Sequence, residues 1–226
     1  MQVIYEDNHI IVVNKAAGEI VQGDKTGDRP LCDVVKAYIK EAYAKPGQVF
    51  LGVVHRLDRP VSGCVLFART SKALSRLNTM FASHTLVEKT YWAIVSQRPP
   101  AESGTLTHWI TRNEAKNLSR AHEHEVPGSK KAVLDYRLIA ASERYFLLEI
   151  KLHTGRHHQI RCQLARIGCP IRGDLKYGAP RSNPDGSISL HARRLVLEHP
   201  VSHQQIDVVA PVPDERLWQE ISPRST

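Results

Sequence analysis

Apolar positions along the chain fall into alternating short runs and a few helically spaced sets. Val3–Tyr5 and Ile10–Val13 are β-rich runs parted by Glu6-Asp7-Asn8-His9, so a hairpin is expected at the start. Lys15–Pro30 is polar and contains glycine, which reads as a loop. Leu31, Val34, Val35, Tyr38, Ile39 and Ala42 recur at helical spacing and predict an amphipathic helix ending near Lys45-Pro46-Gly47. A second helix is expected from Ser71, taken as its cap, with Leu74, Leu77, Met80 and Phe81 on one face. Leu86–Ser96, Thr105–Thr111, Val133–Ile139, Tyr145–Leu152, Ser187–Glu198 and Gln205–Val209 read as strands. Thr154 is the expected cap of a helix running to about Ile167, where Gly168 stops it, with Ile160, Leu164 and Ile167 as its buried stripe. Asp214–Ile221 is a short closing helix, and Ser222–Thr226 is expected to fray. Strands that follow one another through short connections, with a few helices among them, predict an α+β fold with a mixed, mostly antiparallel sheet.

Two stretches break the pattern. Val53–Ala68 starts and ends as β-like runs, but between them His55-Arg56-Leu57-Asp58-Arg59 forms a charged loop that turns through Pro60 to Gly63. A scaffold that holds a charged loop between strands is a common way to present reactive groups, although most such clusters are surface ion pairs. Asp58 is the one carboxylate, set among His55, Arg56 and Arg59. Asn113–Lys131 is long, polar and basic, with Lys116, Arg120, Lys130 and Lys131. It is either a nucleic-acid-contacting finger or a disordered loop. On the helix after Thr154, Arg161 lies beside the buried stripe. It either needs a carboxylate, for which Asp58 is a candidate, or it snorkels to water.

Length and charge narrow the setting. At 226 residues the chain forms one large domain or two closely joined lobes. Thirty-one Lys and Arg against 23 Asp and Glu give a net charge of +8, which suits a polyanionic partner. Aromatic residues make up only 6%, so a surface built mainly for stacking single strands is not indicated. The four cysteines form no C-x-x-C pair and read as buried thiols of a reducing compartment. No signal-peptide pattern and no long apolar span is present, so a cytoplasmic protein away from membranes is expected. His122-Glu123-His124 lacks the spacing of a zinc site, and no metal is expected. A glycosidase would want a second marked carboxylate facing Asp58, and the chain offers none.

Five motifs then occur in order: HRLDR-P-VSG at His55–Gly63, EKTYWA at Glu88–Ala93, LHTGRHHQIRCQL at Leu152–Leu164, GDLKYG at Gly173–Gly178 and LHARRLVLEHP at Leu190–Pro200. Together they resemble the RluA-type pseudouridine synthases over nearly the whole chain. Arg59-Pro60 is similar to the tRNA-modifying TruC-like branch. The short hairpin start suggests a stand-alone catalytic domain, 1–226, without a separate S4-like RNA-binding domain. The resemblance implies the pseudouridine synthase fold around one central cleft, and isomerisation of a uridine in tRNA or rRNA by a monomer that needs no cofactor. It implies Asp58 as the catalytic aspartate and Arg56 as the residue that displaces the target base. Tyr91 would pack on the uracil and take its C5 proton, and Arg161 would pair with the aspartate. His55, Arg59, Lys116, Arg120, Lys130, Lys131 and Arg156 are the expected RNA contacts. Two positions depart from the pattern: Val61 stands where Thr is frequent, and His157 where Ser, Thr or Lys is common. A non-catalytic RNA-binding or ribosome-assembly protein on the same fold is the rival reading.

Overall fold

The structure, a computed structural model, describes residues 1–83 and 86–223. It divides into two compact units: Met1–Lys89 with Ala192–Pro211, and Thr90–His191 with Val212–Thr226.

In the first unit, β1 (Gln2–Glu6) and β2 (Ile10–Lys15) form the expected hairpin. Asp7 builds its turn, because Oδ1 accepts the backbone N–H groups of His9 and Ile10 at 2.7 and 2.9 Å. α1 spans Leu31–Ala42 and buries Leu31, Cys32, Val35 and Ile39, as its spacing predicts. Short β3 (Gly52–Val53) and long β4 (Ser62–Ala68) bracket the charged loop, and β2 and β3 both pair antiparallel with β4. β2 and β4 are buried almost throughout because both faces are covered, so each reads as a continuous apolar run. α2 (Ser71–Ser83) lays Ala73, Leu77 and Met80 on the core formed by Ile10, Val12 and Leu66. Its cap is Thr70, whose Oγ1 accepts the Ala73 N–H at 3.2 Å; Ser71 already belongs to the helix. β10 (Leu190–Glu198) and β11 (Gln205–Val209) complete the unit as an antiparallel pair.

The second unit is built on β5 (Val87–Val95), β6 (Ser103–Asn113), β7 (Leu118–His122), β8 (Lys130–Ala141) and β9 (Phe146–Leu152). Their order in the sheet is β5-β9-β8-β6-β7. β5/β9, β9/β8, β8/β6 and β6/β7 are all antiparallel. The polar stretch Asn113–Lys131 is therefore only partly a loop. Leu118–His122 pairs with β6, and alternation turns Ser119 and Ala121 inward while Arg120 faces out. An edge strand this short carries too few large apolar residues to stand out as a period-two signal.

α3 runs only from Gln159 to Arg166, and Thr154 does not cap it. Instead Thr154 Oγ1 donates to Gln159 Oε1 at 2.8 Å and accepts the Val133 N–H at 2.9 Å. These bonds fold 154–158 into a turn, with His158 in the left-handed region at φ 50° immediately before the helix. The helix is also not one-sided, since Gln159, Arg161, Cys162 and Gln163 are buried along with Ile160 and Leu164. Gly168, at φ 78°, ends the segment as expected. α4 (Arg216–Ile221) packs Trp218 and Ile221 against Trp92, Ile94 and Leu147. The expected tail falls partly outside the described residues, which end at 223. All four cysteines are free and buried.

Candidate active site

The loop that carries Asp58 is held from several directions at once. Its turn closes where the Val61 N–H donates to Asp58 O at 3.0 Å. Beneath it lies Lys15, only 1% exposed at the end of β2. Lys15 Nζ donates to the carbonyls of Ala16, Arg59 and Val61 at 2.9, 3.1 and 2.6 Å, so each ammonium proton has an acceptor. Burial pulls the Lys15 amine down to about 8, while the nearby Glu19 and Asp58 carboxylates oppose the shift. Gly18 N–H also donates to Arg59 O, at 2.8 Å. No sequence pattern marked Lys15; its signal is a lysine placed where a fully apolar strand runs into the loop.

The three basic residues beside Asp58 in the sequence do different jobs. The Arg59 guanidinium binds Asp28 at 2.6 Å, Thr26 at 2.8 Å and Asp24 at 3.5 Å, fastening the Asp58 loop to the loop before α1. His55 is a bolt. Its Nε2 accepts the Leu66 N–H at 3.1 Å, and its ring stacks on Phe81 with centroids 5.0 Å apart. Burial and the Lys89 charge push the imidazole down to about 3, which fits a nitrogen that must accept. Lys89 itself lies 5.6 Å from the centroid of the same Phe81 ring, and burial lowers its own amine. Arg56 is exposed, and Asp58 is half-buried.

In the second unit Tyr91 is half-buried on β5 opposite Ile150, and its neighbour Trp92 turns into the core. Arg161 is 5% exposed, which overturns the snorkelling alternative. The carboxylate that takes its Nε/Nη2 fork is Asp174, at 2.7 and 2.9 Å and itself 1% exposed. Nη1 donates to His158 Nε2 at 3.1 Å, and the guanidinium carbon lies 5.0 Å from the Tyr177 ring centroid. His158 is therefore neutral, pushed down to about 2 by burial and then by the Arg161 charge. Its Nδ1 meets Tyr177 Oη at 2.8 Å, and burial raises that phenol to about 12. The GDLKYG motif thus has a structural meaning: Asp174 and Tyr177 clamp Arg161 from its fork and its face.

The expected basic finger sorts by strand alternation. Lys131 pairs with Trp109 and shares its face with Arg120, whereas Lys130 pairs with Ile110 and belongs to the opposite face. Lys116 stands exposed in the β6–β7 turn, its N–H held by Asn113 Oδ1 at 2.9 Å. Arg156 is exposed, and its Nε donates to Lys131 O at 3.1 Å. Trp109, half-buried between the outer cations, was not singled out by the sequence. Among the described residues no group of three His, Cys, Asp or Glu could hold a metal ion, and no helix is long and apolar enough to cross a membrane.

A structure search returns human RNA pseudouridylate synthase domain containing 4 at a TM-score of 0.77 and 23% identity, covering 94% of this chain and 89% of the other, so the fold is that of pseudouridine synthases. The profile of the RNA pseudouridylate synthase family matches residues 9–166. Ribosomal large subunit pseudouridine synthase D of Zymomonas mobilis is 31% identical over 225 residues, 95% of this chain and 70% of that protein. tRNA pseudouridine synthase C of Pectobacterium carotovorum is 32% identical over 228 residues, 93% of this chain and 58% of that one. The chain belongs to the RNA pseudouridylate synthase family, and within it to the RluA type. It spans about two thirds of the length of the curated relatives it matches.

Proposed function

We propose that the chain isomerises a uridine of a structured RNA to pseudouridine, with Asp58 as the reacting carboxylate. The observation that carries this reading is the way Asp58 is mounted: a half-buried acid on a turn pinned by Lys15, Gly18, Arg59 and His55, inside a chain of this family. Catalysis by a fixed charge needs such a mount, because a group that must reorganise during the reaction loses its electrostatic advantage.

In the reaction the N1–C1′ bond of uridine breaks, the uracil turns, and C5 bonds to C1′. The C5 proton is lost and N1 gains one, so atoms balance without a redox partner or a group donor. Breaking the bond leaves positive character on the sugar. Asp58 stabilises it, bonds to it or takes the 2′ proton. Tyr91 packs on the uracil and takes the C5 proton, and Arg161 is the buried cation of the reaction, in keeping with the family. Arg56, exposed beside Asp58 in sequence, fills the place of the base that leaves the stack. Arg59, Lys116, Arg120, Lys130, Lys131 and Arg156 take the RNA backbone; His55 acts on the loop through its bond to Leu66.

The substrate is an rRNA or a tRNA, the two classes named among the relatives. The protein acts as a monomer in the cytoplasm, where its four buried free thiols stay reduced. Chemical mapping of pseudouridine in total RNA, from cells with and without the gene, tests the reading. One or a few uridines lose the modification with the gene. An unchanged map together with no activity of the purified protein on that RNA overturns it.

A further inference from the structure

His157, one of the two positions that depart from the family pattern, ties α3 to the tip of the β6–β7 hairpin. Its two ring nitrogens reach two hairpin residues about forty positions earlier in the chain. Nδ1 meets Ser119 Oγ at 2.8 Å, and Nε2 meets Asn117 Oδ1 at 3.0 Å. Asn117 Oδ1 can only accept, so Nε2 carries a proton, and in the neutral ring Nδ1 accepts from the Ser119 hydroxyl. Ser or Thr at this position has one oxygen close to the backbone and cannot span both partners. Lys has donors only and cannot take the Ser119 proton.

Three neighbouring contacts point the same way. Ser119 N–H donates to Tyr177 Oη at 2.8 Å, Lys176 Nζ donates to Asn117 O at 3.1 Å, and the His157 ring stacks on His158 at 3.8 Å. Ser119 is 3% exposed, and Asn117 sits in the left-handed region at φ 46°. β7 is a five-residue strand at the end of the sheet order, the kind of element that opens most readily on its own. Its turn and outward face carry Lys116 and Arg120, both exposed.

We propose that His157 is a positioning residue for substrate RNA. By holding Asn117 and Ser119 it fixes the hairpin tip, so that Lys116 and Arg120 meet RNA phosphates in a preset arrangement. Their ordering is then settled before the RNA arrives, and that saving appears as affinity. The inference rests on the RNA-modifying reading above and assigns it an affinity device at the hairpin tip.

The test uses the full chain and RNA labelled with 5-tritiated uridine, isolated from cells lacking the gene, with tritium release followed against RNA concentration. His157→Ala and His157→Thr raise KM roughly five- to tenfold, the worth of one or two hydrogen bonds, and leave kcat within about twofold. Amide hydrogen exchange across residues 114–120 speeds up in both. Asn117→Gly keeps the left-handed backbone, removes the acceptor and gives the same KM shift; it also stands in if a His157 variant fails to fold. Combined with His157→Ala it adds little, because both break one latch. An unchanged KM in Asn117→Gly and the folded His157 variants overturns the inference, as does a fall in kcat at constant KM. Lys116→Ala and Arg120→Ala separate the two levels. If they raise KM and the His157 variants do not, only the latch fails. If neither raises KM, the hairpin is not an RNA surface. If the wild-type chain releases no tritium, the RNA-modifying reading itself fails.

Discussion

Lys15 and Asp174 are buried charges whose partners are all in place, and each fixes the backbone or side chain on which a candidate reacting group depends. Asp174 is the sharper case. Both of its oxygens go to the Arg161 fork, and neither residue is more than 5% exposed. Removing one charge of such a pair leaves the other buried and uncompensated, at a cost of about 3–5 kcal/mol. Asp174→Asn is therefore expected to lower thermal stability strongly and to abolish turnover, as denaturant melts and tritium release would read out. A variant as stable as the parent would mean that the Arg161 charge is compensated elsewhere. His55 and His158 supply a pH signature. Both have folded values, about 3 and about 2, below the usual 6.5, so the unfolded chain binds protons that the folded chain refuses. Stability is then full above pH 6.5 and falls as pH drops below it, by up to about 1.4 kcal/mol per pH unit for each histidine. Unfolding free energies measured from pH 7 to 5 should show this decline, and His55→Gln should make it shallower. A flat profile would mean that these rings are protonated in the fold.

At the scale of elements, the site depends on where strands stop. Gly63 is the second residue of β4 and pairs with Lys15, at φ 116°, where a Cβ would lie 2.3 Å from Ala192 O on β10. Backbone cannot give way there as a flexible side chain could, and the left-handed region penalises any L side chain. Gly63→Ala is expected to destabilise the fold by about 2 kcal/mol or more and to cut activity through the displaced Asp58 loop, whereas Gly18→Ala, with open space around it, costs less. Equal effects in the two variants would remove the special place of Gly63. The same scale shows what the sequence could and could not reveal. β2, α1, α2, β5 and β9 follow from their apolar pattern because each buries several apolar side chains. β7 and the true start of α3 do not. The first is held by backbone pairing and by His157 and Tyr177, and the second by Thr154 and Gln159 satisfying one another. Such contacts are made by polar groups and leave no apolar period. Likewise Asp58, Tyr91 and Arg161 came from motifs, while Lys15, Asp174 and the inward turn of His55 needed coordinates.

For the molecule as a whole, the net charge of +8 makes affinity for RNA an electrostatic property first. Binding should weaken linearly on a logarithmic salt scale, with a slope of about 0.7–0.9 per phosphate contacted. Lys116→Ala and Arg120→Ala should each lower that slope by roughly one unit. A slope near zero would remove the role given to the basic hairpin face. Asp58 is proposed to carry the chemistry without contributing to RNA binding. Tritium release from 5-tritiated uridine in RNA, measured beside RNA affinity for the parent and for Asp58→Asn, tests it most directly. Release is expected to disappear in Asp58→Asn while affinity stays within about threefold of the parent, since one carboxylate-to-amide change removes no phosphate contact. Release at the parental rate in Asp58→Asn would contradict it.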